Sequence, residues 1–245
     1  MQLSATSTTS DTNGKSQITV TSLKSGDVVI SAQTDAGVAY KAVKTTFSAD
    51  INQAKMTLVS DKDKTVADGT SEIVLSATLV DANNNPITDT EVNWSVAPTT
   101  GTLSAAKTTT DSSGVAKVTL TSAEIAEYQV DATMSGGNKA SASKTGLIFT
   151  ADSTTANVSS LTADKDVDIV AGKDTVTLTA LVLDGSNHPV PGMTVNWSST
   201  ETNSTFSANS SVTDSDGKAT VTFSSLKAGS IDVTGTLSLS TSKAS

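Results

Sequence analysis

Thr90-Glu91-Val92-Asn93-Trp94-Ser95 and Met193-Thr194-Val195-Asn196-Trp197-Ser198 hold the only two tryptophans of the 245-residue chain, 103 positions apart. Around them the sequence repeats itself in the same order at the same offset. Upstream, Ile73, Leu75, Ala77 and Leu79 answer to Val176, Leu178, Ala180 and Val182. Asn85-Pro86 answers to His188-Pro189, and Thr110-Asp111-Ser112-Ser113-Gly114 to Thr213-Asp214-Ser215-Asp216-Gly217. Alternating apolar residues are the pattern of strands with one buried face. One strand-borne Trp per period of about 100 residues predicts an all-β chain of tandem immunoglobulin-like β-sandwich domains, each built around an indole.

Composition narrows the function classes. The chain has 16 Lys, no Arg, 25 acidic residues and a formal charge of −9. Phosphate binding needs a concentrated basic surface, so nucleic acid is excluded as a partner. With no cysteine, neither a disulfide nor thiol chemistry is available. Aromatics are only 3%, which suits short, half-buried strands over thin cores. No apolar run approaches the roughly 20 residues that span a bilayer, so this stretch is not expected to insert into a membrane.

The first 50 residues read as the back half of a repeat. Leu3-Ser4-Ala5 matches Leu103-Ser104-Ala105, and Asp11-Thr12-Asn13-Gly14 matches Asp111-Ser112-Ser113-Gly114. In each Asp-x-x-Gly, Asp accepts bonds from the backbone that follows it and Gly can take positive φ. Alternating strands follow at Ile18/Val20, Val118/Leu120 and Val221/Phe223, then at Val28/Ile30, Tyr128/Val130 and Ile231/Val233. Junctions fall near Phe47-Ser48-Ala49-Asp50 and Phe149-Thr150-Ala151-Asp152, without a flexible spacer. The expected division is residues 1–50, an incomplete repeat; 51–152, a complete one; and 153–245, one whose last strand is not present. Lys243-Ala244-Ser245 would match Lys139-Ala140-Ser141. Short links restrict hinge freedom, so neighbouring domains are expected end to end.

Val92 to Ser95, then Gly101 to Ala105, then Thr108 to Ser122 spell Val-x-Asn-Trp-Ser, Gly-x-Leu-Ser-Ala and Thr-x-Thr-Asp-x-x-Gly-x-Ala-x-Val-x-Leu-Thr-Ser. This order resembles the bacterial immunoglobulin-like repeats of intimin and invasin, and the likeness covers nearly the whole chain. The resemblance implies a surface-displayed adhesin of Gram-negative bacteria, anchored by an outer-membrane β-barrel elsewhere in the parent. It also implies that such repeats form a stalk holding out a binding tip. In the best-known members that tip is a lectin-like domain containing cysteines, and no such domain is seen here.

Candidate sites are few. His188 is the sole histidine; aligned with Asn85 and followed by Pro189, it reads as a turn residue and not as a general base. No catalytic residue, cofactor or enzyme activity is expected. Asp81, Asn83 and Asn85 have the alternate-residue spacing of a calcium loop, but Pro86 stands where such a loop needs Gly. Asp61, Asp63, Asp164 and Asp166 recur near the repeat starts, interleaved with Lys62, Lys64 and Lys165. Solvated turns are the expectation there, and linker calcium the alternative. Trp94, Trp197, Tyr128, Val130 and Val233 are the expected structural core; Tyr128 occupies the place of the sandwich tyrosine whose hydroxyl bonds back to the backbone.

The sequence therefore reads as a non-enzymatic extracellular stalk segment whose neighbours are further immunoglobulin-like repeats. Two alternatives stand beside it. In one, the repeats themselves bind a host cell-surface or matrix protein or a glycan, through loops 97–101 and 200–205. In the other, the chain is an accessory domain of a phage or secreted polymer-degrading protein.

Overall fold

The computed structural model describes residues 1–238, so the match expected at Lys243-Ala244-Ser245 lies outside the described residues. The chain falls into two compact units. Residues 1–63, 72–120 and 127–147 form the first, and residues 64–71, 121–126 and 148–245 the second.

The first unit begins with β1 (Gln2–Leu3), β2 (Val20–Thr21), β3 (Gly26–Ile30) and β4 (Val43–Phe47). They pair as two separate hairpin-like ribbons, β1 with β2 and β3 with β4. None of residues 1–50 is buried. The strand expected through Ile18 shrinks to Val20–Thr21, and Ile18 is 39% exposed. Its partner β1 has only two residues, and two-stranded ribbons bury too little to hold a long ladder.

Beyond a single 3-10 turn at Ile51–Gln53, the strands are β5 (Lys55–Ser60), β6 (Lys64–Val66), β7 (Ile73–Val80), β8 (Glu91–Ala97), β9 (Thr102–Leu103), β10 (Lys107–Thr109), β11 (Val115–Thr121), β12 (Ala126–Met134) and β13 (Ser141–Thr150). One sheet runs β5-β7-β11-β9 and the other β10-β8-β12-β13-β6. The inward residues of β7 (Ile73, Leu75, Ala77, Leu79) are fully buried, as are Val92 on β8 and Val130 and Ala132 on β12. Burying each large aliphatic side chain contributes about 1.5–3 kcal/mol. Trp94 is paired with Ala132 across the β8–β12 ladder, is 6% exposed, and donates from Nε1 to Thr108 Oγ1 at 2.8 Å. The Tyr128 hydroxyl lies 2.9 Å from Thr100 Oγ1, so this tyrosine holds the 97–101 loop. Its ring packs against Gly101, where an added Cβ would come within 2.9 Å. The end of β13, Ile148 to Thr150, pairs in parallel with Lys64 to Val66, and both stretches belong to the second unit.

The second unit continues with β14 (Asn157–Ala163), β15 (Val176–Leu183), β16 (Thr194–Ser199), β17 (Ser204–Phe206), β18 (Ser210–Val212), β19 (Lys218–Ser225) and β20 (Val233–Leu237). Its sheets are β14-β15-β19-β17 and β18-β16-β20. Val176, Leu178, Ala180, Val182, Val195, Trp197 and Val221 form the core, with Phe206 and Phe223 stacked at a tilt, ring centroids 5.1 Å apart. Trp197 donates from Nε1 to Ser211 Oγ at 2.9 Å, the counterpart of the Trp94 bond. Val233 packs against this core and is half-buried. β12, which carries Val130, has ladder neighbours on both sides, whereas β20 is an edge strand among the described residues. Ile231 likewise falls before β20 begins.

The Asp-x-x-Gly turns fold alike in all three copies. Asp11, Asp111 and Asp214 each accept, through Oδ1, the backbone N–H groups two and four residues on. Gly114 has φ 75°, and a Cβ there would sit 2.4 Å from Leu79 O.

Candidate functional site at the repeat junctions

The polar chemistry of the fold concentrates in the turn that follows β7, and again in the turn that follows β15. Sequence places an Asp first in both, because a short carboxylate can accept from its own turn. Asp81 is 2% exposed, yet its carboxylate is fully engaged. Oδ1 accepts from the backbone N–H of Asn83 at 2.8 Å and of Asn85 at 2.9 Å. Oδ2 accepts from Asn85 Nδ2 at 2.8 Å and from the backbone N–H of Asp50 at 3.2 Å. Asp50 lies in the junction segment, and its own carboxylate accepts from the Asn52 N–H. The turn thereby grips the chain that enters its repeat.

Asn85 extends the grip. Its Nδ2 also donates to Leu23 O at 2.9 Å, and its Oδ1 accepts from the Ser25 N–H at 2.9 Å. Leu23 and Ser25 belong to a loop folded by Ser22, whose hydroxyl donates to Lys24 O and accepts from the Lys24 N–H.

The second unit builds the same joint. Asp184, 4% exposed, accepts from the backbone N–H groups of Ser186 (2.8 Å), His188 (2.9 Å) and Asp152 (2.9 Å). His188 Nδ1 stands 3.3 Å from Asp184 Oδ2, and Nε2 stands 2.8 Å from Ala123 O. Ser122 folds that loop with the same pair of bonds, to Glu124. Asp152 turns its carboxylate to Thr154, as Asp50 does to Asn52.

Burial pushes the Asp81 carboxyl up, but the bonds from Asn85, Asp50 and Asn83 together outweigh it and hold the group below its ordinary value of 3.8. Asp184 follows the same balance: burial raises it, and the Asp152, His188 and Ser186 backbone donors bring it down. Both carboxylates stay ionised near neutral pH, with their acceptor sites filled from within the protein.

These bonds occupy the first carboxylate of the calcium-loop spacing. Asp81 Oδ1 and Oδ2 are spent on N–H donors, and Asn83 is exposed with only its backbone N–H turned inward. The four aspartates near the repeat starts are dispersed as well. Asp61 Oδ1 accepts from the Val74 N–H at 2.8 Å, and Asp164 Oδ1 from the Thr177 N–H at 2.8 Å, so each caps a strand entrance. Asp63 pairs with Lys144 at 2.8 Å and with Ser60, not with its neighbours Lys62 and Lys64. Asp166 borders an open groove with Ile169, Val170, Phe223 and Val233. Among the described residues no group of three or more acidic or histidine side chains converges. His188 does occupy a turn, as its alignment with Asn85 requires. Its reach to Ala123 was not legible, because no local pattern reports which loop lies opposite a turn. The one usable signal was the recurrence of Asp at 81 and 184 beside Asp50 and Asp152.

Fold and junctions together define a class: immunoglobulin-like sandwich repeats whose shared polar chemistry lies in the links. The chain belongs to the bacterial Ig-like domain (group 1) family, whose model matches residues 55–147 and 158–245. It is 30% identical over 233 residues to the inverse autotransporter adhesin YeeJ of Escherichia coli strain K12, covering 95% of this chain and 10% of that protein. It is 32% identical over 219 residues to intimin of Citrobacter freundii, covering 88% of this chain and 20% of intimin. The chain thus spans a tenth to a fifth of these relatives. Among solved structures, the Escherichia coli adhesin FdeC superposes with a TM-score of 0.54 at 22% identity, over 87% of this chain and 69% of that one, a likeness of fold. The sequence is thus that of an immunoglobulin-like region of the kind found in adhesins.

Proposed function

We propose that this chain is a non-enzymatic stalk segment of a Gram-negative surface adhesin, extracellular and attached to the outer membrane through a barrel elsewhere in the parent. Its work is to space a binding tip from the cell. Residues 1–50, 51–152 and 153–245 are its successive repeats. The observation that carries this reading is the duplicated joint, Asp81 on Asp50 and Asp184 on Asp152. A buried, saturated carboxylate at each link suits a part that transmits position and serves poorly as a receptor site. Ser225 folds the Leu226 loop with the same bonds that Ser22 and Ser122 make, which fits a joint repeated along an array.

The rival reading has these repeats bind a host protein or glycan through loops 97–101 and 200–205. Their polar groups are engaged at home: Thr100 with Tyr128, and Glu201 with Lys227 at 2.7 Å and with the Asn203 N–H at 3.1 Å. Exchanging this segment in its parent for unrelated sandwich repeats of equal number tests the choice. The stalk reading expects cell adhesion to be kept, and loss of adhesion by a correctly displayed hybrid would refute it.

A further inference from the structure

The two joints solve one bonding problem with different side chains. Each must join two acceptors at once: a buried carboxylate oxygen (Asp81 Oδ2 or Asp184 Oδ2) and a carbonyl oxygen of the loop opposite (Leu23 O or Ala123 O). In the first unit Asn85 does this with one NH₂ group, at 2.8 Å and 2.9 Å. The Ser25 N–H fixes which end of the amide is oxygen, so the NH₂ faces both acceptors. An amide carries those two hydrogens at every ordinary pH.

His188 faces the equivalent pair with two ring nitrogens, Nδ1 toward Asp184 Oδ2 at 3.3 Å and Nε2 toward Ala123 O at 2.8 Å. A neutral imidazole has one N–H and one lone pair. Whichever tautomer it adopts, one acceptor then meets a lone pair. The imidazolium has two N–H groups and satisfies both. We propose that His188 is a proton-binding site that locks its joint when the ring is doubly protonated and loosens it when the ring is neutral, while the Asn85 joint is locked at any pH.

The charged partner of the ring is Asp184; Asp152 donates its backbone N–H to the same carboxylate and accepts from Thr154 with its own, and Glu124 follows Ala123 in the chain. The ring is largely enclosed, its side chain 16% exposed. Two N–H donors for two acceptors give the doubly protonated joint one more hydrogen bond than the neutral one. The proposed lock is therefore closed where the ring carries both protons and released where it carries one. Since His188 is the sole histidine, no other side chain of ordinary behaviour titrates in the imidazole range. This inference concerns the joint itself and holds whether the segment spaces or binds.

The test is amide exchange in the full chain, read at Asp152, whose N–H is held by Asp184, with the Asp50 amide as internal control. Corrected for intrinsic rates, Asp152 protection should fall about tenfold between about pH 5.5 and about pH 7.5, as expected for losing one charge-assisted bond. Asp50 protection should stay level. His188→Asn, which restores the two-hydrogen donor of the sister joint, should flatten the Asp152 profile at the protected level. His188→Ala should flatten it at the exposed level. The wild-type ring gives a variant-free readout, since both ring ¹⁵N signals should report hydrogen-bonded N–H at the acidic end. Parallel Asp152 and Asp50 profiles in the wild type, or a His188→Asn profile that still falls with pH, would overturn the proposal.

Discussion

Trp94 shows how far a single residue carries the fold. Its indole is buried, and its one polar atom is satisfied by Thr108. Truncation leaves a cavity and an unpartnered Thr108 hydroxyl. Trp94→Ala and Trp197→Ala should each cost about 3–5 kcal/mol in denaturant unfolding, close to the whole stability of a marginal domain. A cost below about 1 kcal/mol would place the core elsewhere. Gly114 is the other position that admits little change. Positive φ and the approach of Leu79 O, 2.4 Å from an added Cβ, act together. Gly114→Ala should cost about 2 kcal/mol or more, and more than Gly14→Ala, where a similar left-handed φ carries strain alone and no neighbour lies within 4 Å. These residues were legible in the sequence because local rules fix them: alternation assigns the Trp face, and Asp-x-x-Gly assigns the turn. How deeply Val233 packs was not legible, because its degree of burial depends on β20 being an edge strand among the described residues, which its own neighbours in sequence do not reveal.

Among elements, the turns after β7 and β15 do the most that sequence spacing could not foretell. The oxygens at 81, 83 and 85 have a calcium loop's spacing but meet Pro86 where such a loop needs Gly; in the fold the same spacing lets one carboxylate collect two backbone donors of its own turn and one from the linker. Asp81→Ala strands the Asn83, Asn85 and Asp50 N–H groups and should cost about 2–4 kcal/mol, read by the same unfolding measurement. Asp81 and Asp184 are held below 3.8 in the folded chain, so their contribution is complete above that value and is lost as pH falls beneath it. The melting temperature should therefore decline below about pH 4, and Asp184→Asn should blunt that decline. Metal removal should do nothing: Asp61 and Asp164 already hold Val74 and Thr177, so melts with and without chelator should coincide. A drop of several degrees in chelator would restore linker calcium.

At the scale of the whole molecule, the repeats and their junction sites could be read from offsets alone, since Trp94 to Trp197 and Asp81 to Asp184 share one spacing of 103 residues. Physical linkage could not, because Leu23 with Asn85 and Ala123 with His188 meet across 62 and 65 residues of chain. Net negative charge disfavours self-association and sticking to acidic surfaces, which suits a segment that spaces without binding. Binding of the purified folded chain to cultured epithelial cells and common matrix proteins, measured against a heat-unfolded control, tests that claim most directly. The account predicts no saturable binding from a chain that melts cooperatively. Saturable binding by the folded form alone would contradict it and make the repeats themselves adhesive.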